Sequence, residues 1–296
     1  MRPSIPVPVL VGLLVGLSGS LRLQAQEPES AFRIPTTNPH AVVLQQIAGT
    51  EVEIDYHRPR VRNRTIFGGL VPYGQVWRTG SDNATRIRFS TPVSVGGKRL
   101  GAGTYELFSI PGETEWTIIF QEVQAQWGSY SYDDSKDALR VSARPEALAG
   151  AVESFTLALD DVQRASATLA LTWDRVRVPL TLTVDVRETV VPQLEELLLT
   201  AERKPYFLAA MFYFEHDLDM ERAAELMEAA LAQNPGHIGM LHRQALILEK
   251  KGDIEGAIAA AERSLAGAAT SPPELREEYT RLNTALLERL RGPRSR

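Results

Sequence analysis

The sequence predicts an α+β protein of two domains: an N-terminal antiparallel β-sandwich or partly closed barrel, then tetratricopeptide-like helical hairpins. Three observations carry this prediction. From about 42 to 186, short alternating or apolar runs are punctuated by turn residues. Beyond Pro192, β-branched residues thin out while Ala, Leu and Glu take over. Finally, DMERAAELMEAAL from Asp219 aligns with DIEGAIAAAERSL from Asp253 at an offset of 34 residues, the period of tetratricopeptide repeats.

The chain opens with a short positive region at Arg2, an apolar stretch over 7–17 and small residues ending in Leu23-Gln24-Ala25. This pattern predicts a secretory signal peptide over 1–25, cleaved after Ala25, and a linker over 26–41. The alternative is an uncleaved anchor, since 5–21 nearly reaches spanning length. No later segment is apolar enough to cross a bilayer. Cysteine is absent from all 296 residues, which excludes disulfides, thiolate metal sites and cysteine nucleophiles. An exported domain without disulfides has to be held by its core.

The β-rich domain is expected over 42–188. TEVEIDY at 50–56 alternates, with Val52, Ile54 and Tyr56 on one face, and 85–89 does likewise. VSV at 93–95 and KRL at 98–100 flank Gly96-Gly97, a strong two-residue hairpin signal. TYELFSIP at 104–111 and WTIIFQ at 116–121 make a second hairpin. Further strands are expected over 138–142, 154–159, 165–173 and 176–186. About eight or nine strands at this spacing read as a sandwich or barrel.

The helical domain is expected over 189–296. Phe207, Ala210, Met211 and Phe214 fall on one helix of the first repeat unit, and Ala223, Met227 and Ala230 on the next. Leu241, Ala245, Leu248, Ala257, Ala261 and Ser264 take matching places in the second. An amphipathic helix over 273–290 would close the end. Two units are fewer than a free solenoid needs, so they are expected to lean on 194–199, on the last helix or on the β-domain. They either pad the sandwich or form a groove for a protein partner.

Catalytic signatures are missing: no HExxH, no Gly-rich phosphate loop, no GxSxG elbow. His237 and His242 are not spaced to share a helix face, and His216 with Asp217 and Asp219 sits at a predicted turn. Neither a metal nor a cofactor is expected. Ser81 has an acid beside it but no placed base, and reads as a turn residue. Asp133, Asp134 and Asp137 follow Trp127 and Tyr130; an aromatic platform beside acids would suit a sugar or a cation, and an exposed loop explains them equally well.

Charge is more informative. The chain carries a net charge of −5, yet 58–90 holds seven arginines against one acid, Asp82. In His57-Arg58-Pro59-Arg60-Val61-Arg62-Asn63-Arg64, arginine occupies every second position. An extended chain would project all four guanidinium groups to one side, and Arg86 and Arg88 repeat the spacing. Such a row points either to an anionic ligand held by forked donors or to a solvated loop with local ion pairs. Nucleic acid is not an expected partner of an exported, overall acidic chain.

The run YHRPRVRNRTIFGGLVPYGQVWRTGSDNATRIRFSTPV, with GKRLGAGTYELFSIPGETEWTIIF and QWGSYSYDDSKDALRV, closely resembles the bacterial domain-of-unknown-function family 2911 over about 52–186. The motifs that carry it are Arg-Pro at 58–59, Ile-Phe-Gly at 66–68, Leu-Val-Pro-Tyr-Gly at 70–74, Val-Trp-Arg-Thr-Gly at 76–80, Ala-Gly-Thr-Tyr at 102–105 and Trp-Thr-Ile-Ile at 116–119. The resemblance implies an exported bacterial protein with a variable C-terminal extension, and no activity. The helical part resembles the tetratricopeptide family over about 65 residues, 204–269.

These readings converge on a periplasmic or extracellular protein without a stable membrane span after cleavage. Its β-domain is expected to bind an anionic small molecule, a glycan or an envelope component, and its helices a protein. The candidate ligand-binding residues are Arg58, Arg64, Tyr73, Trp77, Arg78, Asp82, Asn83 and Thr85. Two alternatives stand beside this: a hydrolase of envelope or polysaccharide material using Arg78, Asp82, Asn83 and His57, and a purely structural module.

Overall fold

The structure is a computed structural model and describes residues 37–122 and 125–292. The expected signal peptide, and the linker as far as residue 36, lie outside the described residues.

Among the described residues, ten strands form two sheets in which every strand pairing is antiparallel. The larger has the order β1-β2-β3-β6-β7-β8, the smaller β5-β4-β10-β9. Their ranges are β1 His40–Ile47, β2 Thr50–His57, β3 Thr85–Phe89, β4 Val93–Val95, β5 Lys98–Leu100, β6 Gly103–Ile110, β7 Trp116–Glu122, β8 Asp137–Ala143, β9 Glu146–Asp160 and β10 Ser166–Thr183.

Period-two burial explains why these segments are strands. In β2 the side chains of Val52, Ile54 and Tyr56 are buried while Glu51, Glu53 and Asp55 face outward. The inward faces of both sheets feed one core, with Phe89, Trp116 and Phe120 from the large sheet meeting Phe155 and Trp173 from the small one. Each such side chain, taken out of water, contributes roughly 1.5–3 kcal/mol or more.

Two expectations change. HAVVLQQI, not expected as a strand, pairs with β2 along its whole length because its inward positions complete the same core. The expected strands over 165–173 and 176–186 are one, β10. Asp174 adopts φ 51° and the register against β9 shifts around it, so the polar pair Asp174-Arg175 is a bulge and not a turn.

Beyond a four-residue helix, α1 (Val186–Thr189), six helices follow among the described residues: α2 Val191–Thr200, α3 Tyr206–Glu215, α4 Met220–Gln233, α5 Ile238–Lys251, α6 Ile254–Ala268 and α7 Pro273–Arg291. The aligned positions do the same work. Asp219 and Asp253 cap α4 and α6 by accepting from the backbone N–H three residues on, and Ala223 and Ala257 are both fully buried. These helices enclose a second core of their own. Arg222 on α4 forks onto Glu195 of α2 at 3.1 and 2.7 Å, and Tyr213 of α3 donates to the same carboxylate at 2.7 Å. Between α5, α6 and α7, Asn283 meets His242 at 2.9 Å and donates to Ser264 at 2.8 Å, all three buried. Among the described residues no helix is long and apolar enough to cross a membrane.

Candidate functional site

The arginines of the basic window have distinct fates. The chain leaves β2 at His57 and is extended only as far as Arg60, which bridges to Ser154 of β9. It then turns, with Arg64 N–H bonded to Val61 O and with Arg62 and Asn63 at φ 48° and 54°. The expected one-sided row therefore does not form, because two left-handed residues break the alternation. Arg58 donates to Phe155 O at 2.9 Å and to Thr156 at 2.7 Å. Arg60 pairs with Glu153 at 3.4 Å, and Arg64 turns back onto Val61 O and Arg60 O. Arg62 reaches Thr37 O at 3.4 Å. On β3, Arg86 meets Asp55, and Arg88 meets Glu51 and Glu53.

Arg78 differs from all six. Its Nε is buried without a hydrogen-bond partner, and its guanidinium lies over the ring of Trp127 at 5.7 Å. Among the described residues it has no carboxylate partner, and its guanidinium rests on the π-face of Trp127.

The segment carrying Arg78 is pinned from beneath. Trp77 exchanges two 2.8 Å backbone hydrogen bonds with Ser109. Its ring is buried, nearly parallel to Trp173 at 5.8 Å, and donates to Gly80 O at 3.0 Å. Thr79 and Thr85 are also fully buried; Thr85 donates to Thr79 O at 2.7 Å, and Thr79 meets Ser109 at 2.9 Å. Trp77 and Thr85 are thus scaffold. Gly80 sits at φ 154°, and a Cβ there would press on Thr85 Oγ1 at 3.0 Å and His57 O at 3.2 Å. Thr79 and Asp82 hold φ 51° and 59°, a conformation that costs a non-glycine residue roughly 1–3 kcal/mol and persists only where the surroundings impose it.

A second loop is laid against this one. Ala84 N–H bonds Gln126 O and Gly128 N–H bonds Asp82 O, both at 3.0 Å, a two-rung antiparallel ladder. Gln126 is held from below, where its N–H and side-chain amide donate to the buried carboxylate of Glu106 and the amide also reaches Gln121. Gly128, at φ 79°, lets Tyr130 fold back: a Cβ there would lie 2.7 Å from the Tyr130 ring. Tyr130 in consequence stacks on Trp127 with centroids 5.9 Å apart and planes 19° apart. The two rings remain 62% (Trp127) and 80% (Tyr130) exposed. Asn83 is exposed beside them, bridged to Trp127 through the backbone, and Asp82 accepts from Asn38 at 3.2 Å.

The acids after the platform are taken up by local structure. Asp133 caps the 3-10 turn at Asp134–Lys136, and its hydrogen bonds with Ser135 hold its carboxyl below the ordinary range. Asp137 accepts from Tyr132, Arg140 and Gln121. Burial, and then Asp137, push the Tyr132 phenol well above its ordinary value. Tyr73, exposed, lies against Gly68. His57 packs against the ring of His40, centroids 5.2 Å apart, and makes no hydrogen bond to Ser81 or Asp82. The buried Ser81 hydroxyl has no partner. Among the described residues no cluster of histidines and acids could hold a metal ion.

Of the sequence-derived candidates, the structure brings Arg78, Asp82 and Asn83 together and adds the Trp127–Tyr130 pair. Arg58, Arg64 and Tyr73 lie on other segments: Arg58 is bonded to β9, while Arg64 and Tyr73 make contacts within their own stretch. The supports Glu106 and Gln126 were not foreseen, because an acid in an alternating strand reads as solvent-facing.

Residues 38–182 match the family described as Protein of unknown function (DUF2911). This matched region begins earlier than the resemblance predicted, taking in β1 and all of β2, and it includes both loops of the platform. The helices α2 to α7 lie beyond it. Compared with curated proteins and with solved structures, the chain matched none.

Proposed function

We propose that the protein is an exported binding module whose β-rich part, a β-sandwich, takes a carboxylate-bearing glycan on the platform of Trp127, Tyr130 and Arg78. The observation that carries this reading is the combination of an exposed, pre-stacked aromatic pair with a guanidinium that has no protein carboxylate. The C–H faces of a pyranose ring stack on indole and phenol. A uronate carboxylate would supply the forked acceptor that Arg78 lacks, and Asp82 and Asn83 on the adjoining loop would offer partners to ring hydroxyls. Pinning both loops in advance lowers the ordering cost of binding. Export to the periplasm or beyond is supported by the N-terminal sequence, and that compartment is where such glycans occur. The tetratricopeptide-like helices, with matched caps at Asp219 and Asp253, suit a protein partner.

The test is a titration, followed by tryptophan fluorescence and calorimetry, of oligouronates against neutral oligosaccharides of equal length. The uronate should bind, with Arg78→Ala and Trp127→Ala each weakening it by about tenfold or more, on the order of one to two lost charged or stacking contacts. Equal binding of neutral and acidic sugars, or uronate binding untouched by both substitutions, defeats the reading.

A further inference from the structure

The two sheets have four open edges, and three of them are closed to further strands. β5 is three residues long and carries Lys98 and Arg99. β8 carries Asp137 and Arg140, and Lys98 donates to Arg140 O along it. β9 is met by the segment after β2, with Val61 N–H bonded to Glu153 O and Phe155 N–H to Pro59 O, and its other half follows the register shifts of β10. Short length, charge, covering segments and bulges are the devices by which natural sheets prevent edge-to-edge pairing.

Among the described residues β1 is neither short, charged nor bulged, and β9 touches it without pairing. HAVVLQQI contains no acid, lysine, arginine or proline, and it pairs with β2 in unbroken register over all eight residues. Among the described residues no second strand pairs with it. Its outward side chains Val42 and Leu44 are 53% and 61% exposed.

We propose that β1 is the interface of a homodimer, in which two copies pair antiparallel through this edge and join their six-stranded sheets into one. The sequence suits itself as occupant. A two-fold axis perpendicular to the sheet pairs residues of the same face, and centred on Val43 it sets Val42 opposite the partner's Leu44 and Leu44 opposite the partner's Val42. Both exposed apolar side chains are thereby covered twice over. Ala41 faces the partner's Gln45, and His40 the partner's Gln46, so no like charges meet. The outward acids of β2, Glu51, Glu53 and Asp55, are separated from those of the second copy by both β1 strands. That is three strand spacings, about 14 Å, beyond the screening length of about 8–10 Å. A foreign peptide could use the same hydrogen bonds; a second copy supplies the apolar match as well, on two-fold symmetry.

Sedimentation velocity on the purified full chain over a broad dilution series tests this. Wild type should pass from monomer to dimer with rising concentration. Val42→Lys/Leu44→Lys sets lysines opposite lysines and should weaken the dimer by about tenfold or more. The same lysines face Asp55 and Glu53 within the subunit, so the melting temperature should hold. If that pair fails to fold, Val42→Thr/Leu44→Thr keeps strand propensity while removing the apolar match, and the same weakening is expected. A wild type monomeric throughout overturns the proposal, including the case where β1 amides exchange slowly because the chain's own N-terminal residues cover the edge. A dimer indifferent to both variants overturns it equally. Neither result depends on glycan binding.

Discussion

The arginines at 58 to 64 and the arginine at 78 come from one basic window, yet they end in opposite states. Arg58 is built into the fold by two hydrogen bonds to β9, and Arg60, Arg62 and Arg64 find acids or carbonyls nearby. Arg78 rests on an exposed indole with a buried, unpartnered Nε. The tryptophans divide in the same way, Trp77 inside the aromatic core and Trp127 outside it. The lesson is that residue type and local density do not decide which groups the fold satisfies and which it leaves at the surface.

The largest effect that could break this comparison is at the tryptophans. Trp77→Ala should cost about 3–5 kcal/mol in urea unfolding, the range for large aromatic truncations in a packed core. Trp127→Ala should cost less than about 0.5 kcal/mol, as for surface positions generally. Similar losses at both would mean that Trp127 is scaffold too.

The arginines give the next contrast. Arg58→Ala should destabilise by about 1.5–3 kcal/mol, because it removes charge-assisted hydrogen bonds and strands Phe155 O. Arg78→Ala should leave the unfolding free energy within about 0.5 kcal/mol of wild type, since no hydrogen bond is lost. A clear stability loss at Arg78 would assign it to the scaffold.

The smallest effect concerns a polar group satisfied inside the helices. Burial lowers the pKa of His242 and the nearby charges of Arg243 and Arg289 lower it further, while the hydrogen bond to Asn283 and the charge of Glu278 oppose them. The folded state therefore favours neutral imidazole, while the unfolded chain takes up a proton at its ordinary value of about 6.5. The unfolded state binds more protons below that value, so this stability is present above about pH 6.5 and is lost as the pH falls. Denaturant unfolding at neutral pH and near pH 5 should show the loss in wild type, and His242→Gln should flatten it.

Hairpins were legible, and helix starts could have been, because their signals are local. Gly96-Gly97 between VSV and KRL, or aspartate at the start of DMER and DIEG, acts within a few residues. The alternation of β2 was legible for the same reason. β1 was not, since HAVVLQQI becomes a strand by laying Ala41, Val43 and Ile47 against a core assembled from distant segments. The straight arginine row was a local inference that a bridge to Ser154 and two left-handed residues cancelled.

The sequence by itself therefore determined the β-rich and helical halves, most strand positions and the 34-residue repeat. Only tertiary structure decided which arginine, among the described residues, stayed without a carboxylate partner, which tryptophan faced solvent, and which sheet edge stayed unpaired there. Periodicity and turn chemistry act between neighbours in the chain. Satisfaction of a charge, burial of a ring and closure of an edge depend on what folding brings from elsewhere: Phe155 to Arg58, Trp173 to Trp77, Trp127 to Arg78.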